Sequence, residues 1–123
     1  MYSVLVVEDD LINSFTIERI LKKKYEVFEA HNGPDAIEEA KKRNLDLILM
    51  DINLKHDMNG IEAAQQIRKI KGYENKPIIA MTAYAMPGDQ EEFLKSGCSH
   101  YLAKPFTNNE LLTLLAEIIK SMT

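Results

Sequence analysis

The feature that most constrains this chain is a regular alternation between short apolar runs and longer segments with helical periodicity. Tyr2–Val7 is short and almost wholly apolar, as a strand buried on both faces must be. Leu11–Lys24 is longer, with Leu11/Phe15 and Ile17/Leu21 one helical turn apart and a lysine run where the helix dipole favours cations. Tyr25–Ala30 reads as a strand whose Glu26 and Glu29 point to a sheet edge. Asn32-Gly33 makes a turn, and Pro34 suits the first turn of a helix running to about Asn44. Leu45–Asp51 is the strongest strand. Beyond a loop, Gly60 or its neighbour opens a helix with Ile61, Ala64, Ile67 and Ile70 on one face. Pro77 introduces the strand Ile78–Met81, helix signals return after Pro87 and stop near Gly97, and Ser99–Ala103 is a fifth strand. Thr107 with Glu110 three residues later is a capping box, which opens a last helix running to about Met122.

Five strands alternating with five helices imply a parallel sheet covered by helices on both faces. No linker, repeat or low-complexity stretch divides the chain, so one domain is expected over residues 1–123. A domain of that length buries about two thirds of its unfolded surface and needs no disulfide or structural metal. Apolar runs such as Val4–Val7 and Leu47–Met50 are far short of the roughly 18 residues a membrane span requires. No basic segment and apolar stretch follow Met1 as a secretory signal would. The single cysteine, Cys98, fits a reducing cytosol, and a cytoplasmic location is expected. With 15 basic and 19 acidic residues the net charge is −4, so nucleic acid and anionic membranes are not expected partners. His31, His56 and His100 are scattered and form no zinc-ligand spacing with one thiol. They read as solvated loop or strand-end residues, Cys98 as an apolar filler, and Lys22–Lys24 as a solvated helix end.

In open α/β sheets, ligands bind outside the carboxyl ends of the strands, where the strand order reverses. At those ends stand Glu8-Asp9-Asp10, then Asp51, then Thr82, then Lys104-Pro105. Adjacent strands lie about 4.8 Å apart, so acids from the first and third strands converge if those strands are neighbours. Two carboxylates at about 4 Å repel by roughly 4 kcal/mol at an effective dielectric of 20. Such a cluster needs a compensating charge, and an all-oxygen site suits a hard cation such as Mg²⁺. Asp10, next to the helix, reads as its N-cap. Lys104 and Thr82 offer a point charge and a hydroxyl to phosphoryl oxygens, and Asp51, ending the central strand, is the expected nucleophile.

Taken together, these residues resemble the receiver domain of two-component response regulators, and the match covers essentially all 123 residues. It rests on Glu8-Asp9 after Val4–Val7, Asp51 after Leu47–Met50, Asn59-Gly60-Ile61-Glu62-Ala63, Met81-Thr82-Ala83, and Tyr101-Leu102-Ala103-Lys104-Pro105. The resemblance implies a CheY-like, flavodoxin-like doubly wound sheet of order 2-1-3-4-5 with five helices. It implies that Asp51 is phosphorylated, that Asp9 binds Mg²⁺ directly, and that Glu8 helps through water. The main-chain carbonyl of Asn53 would complete the protein ligands. Lys104 and Thr82 would grip the phosphoryl oxygens, Tyr101 would move inward on phosphorylation, and a cis bond would join Lys104 to Pro105. The implied function is a phosphorylation-controlled switch, not a turnover enzyme. It would be loaded by a histidine kinase or histidine phosphotransfer protein and would alter its helix 4–strand 5–helix 5 surface for a protein target or a homodimer. Relatives usually carry proline where this chain has Lys55, and glycine one residue before Gly60. A one-residue insertion within Leu54–Met58 accounts for both.

Three other functions compete with this one. A haloacid-dehalogenase-type phosphatase needs an aspartate two positions after the nucleophile, where this chain has Asn53, which cannot shuttle a proton. A flavin carrier needs a hydroxyl-rich phosphate loop after the first strand, where the acidic triplet repels phosphate. A receiver-like module that is never phosphorylated is the third. The limits of the chain lead to the expectation of either a stand-alone receiver or the receiver portion of a hybrid kinase or longer regulator, with no DNA-binding output domain. In the last helix Leu111, Leu114, Leu115 and Ile118 form a stripe that covers the sheet. Leu112 and Ile119 lie to one side, either as the edge of that buried face or as a strip for self-association.

Overall fold

The computed structural model describes residues 1–55, 58–83 and 87–122. The loop position expected for His56 lies outside them, as does the middle of the insertion expected within Leu54–Met58. The strands are β1 (Ser3–Val7), β2 (Glu26–Ala30), β3 (Leu47–Asp51), β4 (Ile78–Thr82) and β5 (His100–Ala103). They pair in parallel in the order β2-β1-β3-β4-β5. The helices are α1 (Leu11–Leu21), α2 (Gly33–Lys42), α3 (Gly60–Arg68), α4 (Pro87–Lys95) and α5 (Asn108–Met122).

Every residue of β1, β3 and β4 is buried, because helices cover both faces of the sheet. Successive side chains on a strand point to opposite faces, so each strand feeds two cores. Leu5, Val7, Ile48 and Met50 pack with Ala36 and Ala40 of α2, Ala63, Ala64 and Ile67 of α3, and Phe93 of α4. Val4, Val6, Leu47 and Leu49 pack on the other side with Ile17 and Leu21 of α1 and Leu111, Leu115 and Ile118 of α5. The small alanines let α2 and α3 approach the sheet closely. Glu26 and Glu29 are exposed on the edge strand β2.

Two helix ends differ from their periodicity. Lys22–Lys24 do not prolong α1: the Lys24 and Tyr25 amides both donate to the Leu21 carbonyl, at 3.0 and 2.9 Å, and turn the chain into β2. Leu21 is the last α1 side chain buried in that core, and the chain re-enters it at Tyr25. Likewise Ile70 lies beyond α3 in a tight turn, its amide donating to Ile67 at 3.0 Å, while its side chain still packs on the core. Both Leu112 and Ile119 are half-buried against the α1–α5 core, at the edge of the buried face. No helix among the described residues is long and apolar enough to cross a membrane.

The chain winds outward from β1 to the edge strand β2, then returns past β1 to β3. The reversal opens a crevice above the carboxyl ends of β1 and β3, and the chemistry lies there.

Candidate functional site

β1 ends by placing Glu8, 1% exposed, and then Asp9 above the sheet. Asp10 turns away: its Oδ1 accepts from the amides of Ile12 and Asn13, at 2.9 and 3.0 Å, and caps α1. The N-cap thus removes one acid from the triplet. The ligand atoms of Glu8, Asp9 and Asp51 all lie within 4.8 Å of one another. Asp51, the last residue of β3, is 3% exposed. Its Oδ1 accepts from the Asn53 amide at 3.0 Å, and Asp9 Oδ2 accepts from the Lys55 amide at 3.2 Å. Both acids are therefore held by the backbone of the loop after β3.

Lys104 follows β5, two strands away from Asp51, yet its ammonium reaches the cluster. Nζ stands 3.2 Å from Glu8 Oε1 and 3.5 Å from Asp51 Oδ1. The Lys104 amide donates to the Thr82 carbonyl at 2.8 Å, which joins the ends of β4 and β5, and the Lys104–Pro105 peptide is cis. Thr82 is fully buried at the end of β4. Tyr101 is half-buried on β5 and packs against the core under α2–α4.

Three carboxylates face one ammonium, and Glu8 registers the imbalance. Burial, the hydrogen bond with Asp51 and the charge of Asp51 push its carboxyl up from 4.5 to about 7, while Lys104 pulls it down. An all-oxygen, acid-rich cluster with its excess negative charge suits a hard divalent cation. Among the described residues, Glu8, Asp9 and Asp51 are the side chains that could hold one.

Three further residues frame the site. His31, expected to be solvated, is half-buried, and its Nδ1 lies 3.0 Å from the Glu8 carbonyl oxygen. Gly60 does more than open α3. A Cβ there would run into the Asp51 carbonyl and stand 2.8 Å from Ile52 Cα, so only glycine lets α3 start against the strand end. Asn59 caps α3 in a capping box with Glu62, at 2.9 and 3.1 Å. Its Asn-x-x-Glu spacing was a readable signal.

Comparison with known proteins agrees with this geometry. The family model described as response regulator receiver domain matches residues 4–116. The chain belongs to this family: it is a receiver domain of two-component signalling systems, with a CheY-like, flavodoxin-like fold. Among similar proteins, the signal transduction histidine-protein kinase BarA of Escherichia coli (strain K12) is 40% identical over 114 residues, 92% of this chain. The match spans only 12% of that kinase's length. The polar-differentiation response regulator DivK of Brucella anthropi is 35% identical over 106 residues, 85% of each chain. The structure of the receiver domain of sensor histidine kinase PA1611 from Pseudomonas aeruginosa, with a magnesium ion coordinated in its active site cleft, superposes with a TM-score of 0.86. It is 38% identical and covers 94% of this chain and 95% of that one. Chemotaxis protein CheY4 of Vibrio cholerae superposes with a TM-score of 0.90 at 30% identity, covering 95% and 98%.

Proposed function

We propose that this receiver domain is a phosphorylation-controlled switch in which Asp51 accepts a phosphoryl group from a phosphohistidine. The donor would be a histidine kinase or a histidine phosphotransfer protein. One observation carries the reading: Glu8, Asp9 and Asp51 converge within 4.8 Å while Lys104 reaches two of them from another strand.

In the transfer, an Asp51 carboxylate oxygen attacks phosphorus and the P–N bond to the donor imidazole breaks. The bonding pair stays on the ring nitrogen, and the product is a mixed anhydride on Asp51. The Asn53 amide and Lys104 orient the carboxylate, and Lys104 and the Thr82 hydroxyl then face the phosphoryl oxygens. Asp9, Asp51 and the Asn53 carbonyl would hold Mg²⁺, with Glu8 reaching it through water, and the ion would supply charge neutralisation for the phosphoryl oxygens. Asn53 cannot act as the general acid–base of a phosphatase, so the domain is a stoichiometric acceptor and not a turnover enzyme.

Beside the cluster, the first turns of α1 expose Leu11, Ile12 and Phe15 at 66, 78 and 57%. Large apolar side chains this exposed, next to the acceptor, support a protein as the donor. On the far edge, a groove of about 480 Å³ is lined by Tyr101, Ala103, Leu114 and others of β5 and α5. An inward move of Tyr101, coupled to Thr82, would reshape that groove for a protein target or a second copy. The test is intact-mass analysis after incubation with a small acyl or amidophosphate donor and Mg²⁺. One phosphoryl group should add to the wild type and none to Asp51→Asn; equal labelling of both would overturn the assignment.

A further inference from the structure

We propose that His31 is a positioning residue for the acidic site, acting through the backbone of Glu8 without touching metal or phosphate. The inference rests on the phosphoacceptor reading and extends it to a residue outside the cluster. β1 and β2 run parallel with Val7 opposite Ala30, and the Glu8 amide donates to the Ala30 carbonyl at 3.0 Å. In a parallel ladder the next bond would run from the amide two residues beyond Ala30 to the Glu8 carbonyl. The imidazole stands at that carbonyl instead, with Nδ1 3.0 Å from the oxygen. A carbonyl only accepts, so Nδ1 carries the hydrogen and the ring is held in one tautomer. Asn32, meanwhile, turns to cap α2, its Oδ1 accepting from the Asp35 amide at 2.8 Å. The side chain of His31 therefore carries the edge of the sheet one bond further than the backbone pairing does.

The bond matters because of which peptide it holds. The plane that bears the Glu8 carbonyl is the plane that joins Glu8 to Asp9. Rotation of that plane would move both acids relative to Asp51. Glu8 has little room to compensate, being 1% exposed and bridged to Lys104 at 3.2 Å. With its amide tied to Ala30 and its carbonyl to His31, Glu8 is fixed along the β2 edge and the two acids leave β1 in one direction. Groups that orient a metal ligand from behind typically change affinity or activity 10–100-fold when lost.

Three variants separate this role from packing. Asparagine carries its amide nitrogen on Cγ, as histidine carries Nδ1; glutamine places it one atom further; phenylalanine fills the space with no donor. His31→Phe and His31→Gln should each weaken Mg²⁺ binding about tenfold, read by amide shifts in the unphosphorylated protein. They should also slow phosphorylation by a small donor at low Mg²⁺, with the rate recovering at saturating Mg²⁺. His31→Asn should restore both. In the wild type without metal, long-range ¹H–¹⁵N spectra at about pH 8 should show His31 as the Nδ1-protonated neutral ring. This last readout needs no variant and stands even if a substitution unfolds the chain. An Nε2-protonated ring, or folded Phe and Gln variants that bind Mg²⁺ like the wild type, would overturn the inference while leaving wild-type phosphorylation intact. A wild type that takes no phosphate, yet whose Mg²⁺ affinity follows His31, would overturn the phosphoacceptor reading alone.

Discussion

The same chain builds an acid–lysine pairing at each end of its sheet, and the two are balanced differently. At the amino end, Asp46 accepts from the Ser3 amide and hydroxyl at 2.9 and 3.2 Å and faces Lys76 at 3.9 Å. One carboxylate meets one ammonium and two neutral donors, and both charged side chains remain about a quarter exposed. At the carboxyl end, three carboxylates converge and Lys104 reaches only two of them, Glu8 and Asp51, both almost fully buried. The first arrangement closes the sheet and is satisfied as it stands. The second is left with charge to be neutralised, which a structural ion pair has no reason to carry.

Removing one acid from each end should separate the two sites by the largest effect. Asp51→Asn should abolish acceptance of phosphate, whereas Asp46→Asn should label as fully as the wild type when both are followed by intact mass. Loss of labelling in Asp46→Asn would mean that the amino-end pair is not merely structural.

Mg²⁺ gives the next largest effect. Binding to the native state alone stabilises by about 2.7 kcal/mol at 100 times the dissociation constant, or roughly 10 °C in melting temperature for a domain of this size. Asp9→Ala should remove that shift and Asp46→Asn should keep it. A full shift in Asp9→Ala would move the cation away from the cluster.

Glu8 sharpens the contrast through pH. Its carboxyl titrates near 7 in the fold against 4.5 in an open chain, with burial as the leading cause. Between those values the native state holds a proton that the unfolded chain has released. The stabilisation tied to that proton is complete below about 4.5 and is lost as pH rises through about 7. In the metal-free protein, denaturant melts of the wild type should therefore weaken across that range relative to Glu8→Gln. Mg²⁺, which displaces the proton, should bind more tightly as pH rises. Parallel pH curves for the two proteins would contradict a proton on Glu8.

The smallest effect belongs to the amino end. Lys76 and Asp46 are 3.9 Å apart and part-exposed, a geometry worth about 0–1 kcal/mol. Lys76→Ala should shift stability by less than about 1 kcal/mol in urea melts. A larger loss would show that this pair, too, is more than a surface contact.

How much of this could be read beforehand depended on the range of the cause. The apolar runs ending in Val7, Met50 and Met81 announced strands because burial on both faces excludes polar residues. Asp10 was readable as a cap, since its partners Ile12 and Asn13 are two and three residues away. The lysines after Leu21 looked helical because their own propensity favours it, but the turn into β2 is set by where the sheet needs its edge strand. His31 gave no local signal, since its partner lies 23 residues upstream and meets it only through strand pairing.

Periodicity and capping act within a few residues, so the sequence alone sets the order of the elements and which residue types stand at the strand ends. It also placed Glu8, Asp9, Asp51, Thr82 and Lys104 at those ends. Packing in three dimensions brings the three acids within 4.8 Å, carries Lys104 across two strands to Glu8 and Asp51, and sets His31 and Gly60 to hold the frame. Those distances arise from the packing of β1 beside β3 and of α3 against Asp51. They join residues up to 96 positions apart, and no local preference of the chain can encode a separation of that kind.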